Sequence, residues 1–193
     1  MKHLNVLCLL MGLTVLFGCS KDNATLVPDS IQSDQETAYF KAEKIPFTGT
    51  STIVAPIDPG TTQVLPNGKI KIKNQVAEWF ENSEVCEMVT GQSFWYANWL
   101  IAADGSGAKI WGKAEINVGV LEEGDDVLGT WELSWHGWVT EGEMGPAGFI
   151  KGLITVEAVG TGKSGAVKGM VGHWTYTMSI EDGFVYATEG FIK

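Results

Sequence analysis

From Ile45 to the C-terminus, apolar and polar residues alternate with a period of two, and short glycine- and aspartate-rich runs interrupt the alternation at intervals. The interruptions are Asp104-Gly105-Ser106-Gly107, Glu122 to Asp126 around Gly124, Gly142 to Pro146, Gly160 to Gly165, and Glu181-Asp182-Gly183, with centres about 20 residues apart. Turn-forming residues between alternating apolar segments are the strongest short-range signal for a β-hairpin, so the series predicts an antiparallel meander. Its strands are Ile110 to Val118, Val127 to Val139, Phe149 to Val159, Val167 to Ile180 and Phe184 to Ile192. Pro46 to Val54, Lys69 to Val76 and Val85 to Ala103, bent near Gly91, add three more. Eight strands suffice to close an up-and-down sheet into a small barrel, and closure removes the exposed edges that invite aggregation. Glycines inside strands, at 112, 137, 152, 169 and 172, suit a strongly coiled sheet. Helical periodicity of useful length is absent from this region. The reading is an all-β, eight-stranded antiparallel barrel over residues 45–193.

Period-two alternation also assigns faces. Trp131, Leu133, Trp135 and Gly137 share one face of their strand, read as the interior, while Glu132, Ser134, His136 and Trp138 share the other. By the same rule Trp95 and Trp99 face together with Ile101, and Trp174 aligns with Met170, Tyr176 and Met178. The aromatic set Trp95, Trp99, Trp131, Trp135, Trp174 and Tyr176 either lines a cavity for an apolar or sugar ligand or simply fills a barrel just wide enough for side chains. Trp111 and Trp138 fall on outer faces, where aromatic platforms suit glycans. Glu189 depends on register. If Val185, Ala187 and Phe191 point inward it is a buried carboxyl and a candidate acid or base; if Phe184, Tyr186 and Thr188 do, it is solvated. His136 and His173 fall opposite the interior set and read as surface residues.

The N-terminal segment has a different character. Met1-Lys2-His3 precedes an apolar run from Leu4 to Phe17, too short to span a bilayer comfortably, which reads as a secretory leader. Leu16-Phe17-Gly18-Cys19 resembles the lipobox of bacterial lipoproteins, with Phe17 larger than the usual occupant. That resemblance implies cleavage before Cys19, a diacylglyceryl thioether on its sulfur, palmitate-type acylation of the new amino group, and anchorage to a membrane. Ser20 after the cysteine resembles the outer-membrane sorting pattern, and the charged residues that follow resemble the export signals of Bacteroidota lipoproteins. Residues 1–18 are thus expected to be a signal peptide, 19–44 an acylated cysteine with a flexible polar tether, and 45–193 the barrel.

Charge and composition narrow the functions. The 193-residue chain contains 13 lysines, no arginine, and 23 acidic residues, for a net charge of −10. Nucleic-acid binding wants clustered cations and is excluded, and no guanidinium fork exists to recognise phosphate or carboxylate. Cys86 is the single thiol left beyond an acylated Cys19, so no intramolecular disulfide is expected. Glu122, Glu123, Asp125 and Asp126 crowd one turn and could offer oxygens to Ca²⁺, although no EF-hand spacing is present. No GxSxG elbow, P-loop or HExxH motif appears, which disfavours standard hydrolases and nucleotide enzymes, and no cofactor is implied.

Gly160-Thr161-Gly162-Lys163-Ser164-Gly165, followed by Val167 to Gly172 and a strand, resembles a glycine-rich hairpin of the allene oxide cyclase-like and dirigent-like calycin barrels. Ala103 to Gly107 resembles an earlier hairpin of the same kind in barrel lipoproteins. Both motifs consist of turn glycines, so the resemblance implies a fold and carries no catalytic residue across. The expected function is a lipid-anchored, cell-envelope barrel that binds a small hydrophobic or glycan ligand, or serves structurally, without catalysis. The alternatives are a small barrel isomerase or cyclase working in the interior, and a protein-interaction or adhesion component.

Overall fold

The computed structural model describes residues 43–193 apart from position 123. The leader, Cys19, nearly all of the tether and Glu123 therefore lie outside the described residues. The described chain forms one antiparallel sheet of nine strands that closes in a ring. In chain order these are β1 (Ile45–Asp58), β2 (Thr61–Val64), β3 (Ile70–Asn82), β4 (Gly91–Ile101), β5 (Ala108–Val118), β6 (Gly129–Gly145), β7 (Gly148–Gly165), β8 (Val171–Ser179) and β9 (Val185–Ile192). From β3 to β9 each strand pairs with the next along the chain, as the meander requires. Strand β1 then bridges the gap, with Ile45 to Thr52 paired to β9 and Thr50 to Asp58 paired to β3. The short strand β2 pairs with the start of β3 only and stands beside the ring.

Several boundaries depart from the alternation reading. Strand β3 continues past Val76 to Asn82, and the proposed single strand from Val85 to Ala103 begins only at Gly91. Residues 83–90 instead form a connection with a single 3-10 turn at Glu87–Val89. The β2–β3 hairpin went undetected, because every residue of β2 is exposed and no apolar alternation marks it. Strand β7 runs through Gly160 to Gly165, so the turn expected there lies at residues 166–170, and Gly169 belongs to that turn. Gly160 and Gly162 pair with Leu133 and Trp131 as ordinary ladder positions. Gly165, φ +56°, leads into the turn, whereas Gly160 makes room for the Trp174 ring.

That packing role is explicit at Gly112 and Gly172, which face inward. A Cβ on Gly112 would lie 1.8 Å from the Tyr96 carbonyl oxygen and 3.0 Å from the Trp135 ring. One on Gly172 would lie 2.4 Å from the Trp174 ring. Small residues thus open the space that neighbouring indoles fill.

Strand β3 carries the feature that matters most for the interior. Ile70 and Ile72 pack against the core, but Asn74 adopts a left-handed backbone, φ +56°, and the pairing register to β4 shifts between Ile72 and Gln75. One extra residue flips the side-chain parity. Beyond the bulge it is Gln75, Ala77, Trp79 and Glu81 that turn inward, opposite Ala97, Trp95, Ser93 and Gly91 of β4.

One end of the ring is plugged. Cys86 and Val89 from the β3–β4 connection and Val167 from the β7–β8 turn are buried against Phe47, Trp131, Trp174 and Ile192. The Trp131 indole donates to the Met88 carbonyl at 2.7 Å, which ties the plug to the wall. The opposite end stays open.

Candidate functional site

The open end leads into the interior through two connected chambers. The outer one, about 450 Å³, is bounded by the end of β1 and the start of β9, including Ile53, Pro56, Ile57 and Phe184. The inner one, about 70 Å³, is lined by Trp79, Trp95, Trp99, Trp135, Tyr176 and Tyr186, with Ser51 and Gln75 as polar members. Gln75, Ala77, Trp79, Trp99 and Tyr186 border both chambers, so the two form a funnel. The rings brace one another. Trp95 meets Tyr176 edge-on at 5.0 Å and Trp135 at 5.2 Å, and Trp79 meets Tyr186 at 5.2 Å. The Trp99 indole donates to Gln75 Oε1 at 2.7 Å, which fixes one wall of the funnel.

Beyond the inner chamber, toward the plug, lies Glu81, 3 % exposed. The β1–β3 pairing that closes the ring sets Ser51 directly across from it. One carboxylate oxygen accepts from Ser51 Oγ at 2.9 Å, Ser93 Oγ at 2.8 Å and Trp95 Nε1 at 3.2 Å. All three donors are neutral. Burial pushes the Glu81 carboxyl up from the ordinary 4.5 to about 7, against the lowering pull of the Ser93, Ser51 and Trp95 hydrogen bonds. Burial likewise drives the Tyr176 hydroxyl well up, helped by the nearby Glu81 charge, and raises that of Tyr186.

Two buried polar atoms of residues that line the inner chamber, Trp135 Nε1 and Tyr176 Oη, have no hydrogen-bond partner among the described residues. Leaving such groups unsatisfied costs roughly 1–3 kcal/mol each.

Of the aromatic set read from the alternation, Trp95, Trp99, Trp135 and Tyr176 come together on this chamber. Trp131 and Trp174 do not: they pack edge-on against each other at 5.2 Å beside the plug and have no ligand-facing role there. Glu189 is also corrected. Tyr186 and Thr188 of β9 turn inward, so the Glu189 side chain is exposed and is no buried acid. Trp79 and Glu81 were missed, because continuing the Lys69 to Lys73 alternation past Asn74 puts both outside.

The remaining candidates sit on the exterior. Trp111 is half-buried in an open groove across β4 to β7 with Tyr96, Asn98 and Lys113, whereas Trp138, 44 % exposed, lies outside that groove against His136. His136 stands 3.8 Å from Glu157, both exposed, and His173 stacks on Phe191 at 4.7 Å. In the acidic turn, Asp125 Oδ2 accepts from the backbone N–H groups of Leu121 and Glu122 at 3.1 and 2.9 Å. That carboxylate is engaged in its own loop. Among the described residues no group of three or more His, Cys, Asp or Glu side chains is placed to hold a metal ion. Comparisons with protein-family models, with curated proteins and with solved structures gave no match to this chain.

Proposed function

We propose that this chain is a lipid-anchored cell-envelope protein whose closed sheet is a calycin-type, up-and-down barrel, and that its aromatic interior holds a small, largely apolar molecule without transforming it. The observation that carries the reading is the wall of the inner chamber, where Trp79, Trp95, Trp99, Trp135, Tyr176 and Tyr186 come together with Ser51 and Gln75 as polar members. Apolar walls with a few convergent polar groups are the usual composition of a small-molecule site. The chamber is too narrow for a glycan chain, which favours the hydrophobic ligand over the sugar. Glu81 is the observation that favours an isomerase or cyclase instead, because a carboxyl titrating near neutrality can give or take a proton. Its bonded oxygen, however, is enclosed by Ser51, Ser93 and Trp95, an arrangement that suits a fixed charge better than a proton shuttle.

Xenon enters small apolar cavities and tests the reading without knowledge of the natural ligand. The ¹²⁹Xe resonance is expected to shift on adding wild-type protein and to lose most of that shift with Ala77→Leu, which fills the funnel where its chambers meet. Equal shifts for the two proteins would sink the interior site. The anchor is tested separately by metabolic labelling with a fatty-acid analogue, expected on the wild-type chain and absent from Cys19→Ala.

A further inference from the structure

We propose that the inner chamber is a site for a small organic ammonium ion, caged by the faces of Trp79, Trp95, Trp99 and Tyr176, with Glu81 as the buried counter-charge. The proposal rests on the reading of the chamber as a ligand site and names its ligand class. Four observations point the same way. The first is the wall itself: four tryptophans and two tyrosines surround one chamber, and indole faces are the best partners for a cation that has shed its water. The second is the carboxyl behind its wall, to which Ser51 and Trp95 of the lining donate. Glu81 is buried, its recorded partners are Ser51, Ser93 and Trp95, and the ion pairs among the described residues involve His136, Glu157, Lys163 and Glu132 on the exterior. A buried charge without a counter-ion is costly, and a bound cation would offset that cost.

The third observation concerns what the funnel lacks. Among the described residues no lysine or histidine lines either chamber, while Asp58 stands at the outer one. A carboxylate- or phosphate-headed molecule would meet no opposite charge there. The fourth is the overall charge of −10, which draws cations toward the mouth.

Titration of Glu81 couples binding to pH. The other titratable groups turned into this interior are Tyr176 on β8 and Tyr186 on β9, both raised by burial and neutral throughout the working range. β1 and β4 present Ser51, Ser93 and Trp95 to the carboxyl, and Thr188 of β9 and Ser83 of the connection 83–90 line one small space with Glu81.

The test compares choline with its uncharged isostere 3,3-dimethylbutan-1-ol by calorimetric titration of the full-length protein between pH 5.5 and 8.5. Choline is expected to bind at least tenfold tighter than the alcohol at pH 8.5, and to lose that advantage toward pH 5.5 as Glu81 takes up its proton. Glu81→Gln is expected to cost choline most of that advantage at pH 8.5 and to remove its dependence on pH. If the alcohol binds as well as choline to wild type at pH 8.5, or if choline affinity ignores both pH and the Gln substitution, the cation assignment is overturned. The xenon result decides the interior site independently, so the two failures are distinguishable. Binding of neither compound also overturns the cation assignment.

Discussion

Glu81→Gln is expected to stabilise the folded protein at pH 8.5 by on the order of 3 kcal/mol, and to leave it nearly unchanged at pH 4. The sign follows from where the proton sits. Below about pH 4.5 the carboxyl is protonated in both the folded and the unfolded chain, so it contributes no pH-dependent difference. Between 4.5 and about 7 the folded chain keeps a proton that the unfolded chain has released, because burial holds the Glu81 carboxyl up. Folded-state stability therefore falls as pH rises through this window, and the loss is complete above it. Glutamine matches the shape, and its amide oxygen can accept from Ser51, Ser93 and Trp95, yet it never carries the charge. Denaturant unfolding of both proteins at pH 4, 5.5, 7 and 8.5 measures the difference directly. Parallel stability curves would mean that Glu81 is not buried as an isolated acid.

Trp131→Ala should be the most damaging of the tryptophan truncations, at roughly 3–5 kcal/mol. Trp131 is fully buried, meets Trp174 edge-on at 5.2 Å, and donates to the Met88 carbonyl at 2.7 Å. Truncation leaves a large void beside the plug and strands that carbonyl, so a cavity cost and a hydrogen-bond cost combine. The melting temperature is expected to fall on the order of 10 °C for a domain of this size. Trp99→Ala should cost markedly less, because the Trp99 ring already faces the open funnel rather than close-packed neighbours. Thermal melts of the two variants discriminate these roles. Equal losses would mean that the funnel is as tightly filled as the plugged end.

How much of this was legible in the sequence can be traced strand by strand. The alternation placed Trp131, Leu133, Trp135, Trp174, Tyr176 and Met178 inside and Glu132, His136 and Trp138 outside, as they are found. From Gly129 to Thr140 and through β8 the burial pattern keeps a period of two, so parity read at any one of these positions holds for the rest. Strand β3 breaks that rule at Asn74. A left-handed residue in the ladder swaps the faces, and nothing in Lys69 to Lys73 announces it except the place where the strict alternation stops. An asparagine there was the one available sign, since asparagine tolerates the left-handed region better than most residues.

The same bulge hid the candidate site. Glu81 opens the polar run Glu81 to Glu84, between the strands read as Lys69 to Val76 and Val85 to Ala103, and its burial depends on partners remote in sequence. Ser51 lies 30 residues earlier, and Ser93 12 residues later. Their meeting requires that β1 bridge β9 and β3, a long-range pairing that local patterning cannot specify. The Gly160 to Gly165 run misled because only its end belongs to the turn: Gly160 makes room for the Trp174 ring, whereas Gly162 and Gly165, φ +56°, border the turn at residues 166–170.

The claim on which the account rests is that the Asn74 bulge and the β1–β3 closure turn Glu81 into the ring. The direct measurement is the ¹³C shift of the Glu81 side-chain carboxyl followed from pH 3 to 9, assigned by its disappearance in Glu81→Gln. A midpoint near 7 is expected. A midpoint near 4.5, the value of an exposed glutamate, would place the side chain in water and contradict both the register of β3 and the site built on it.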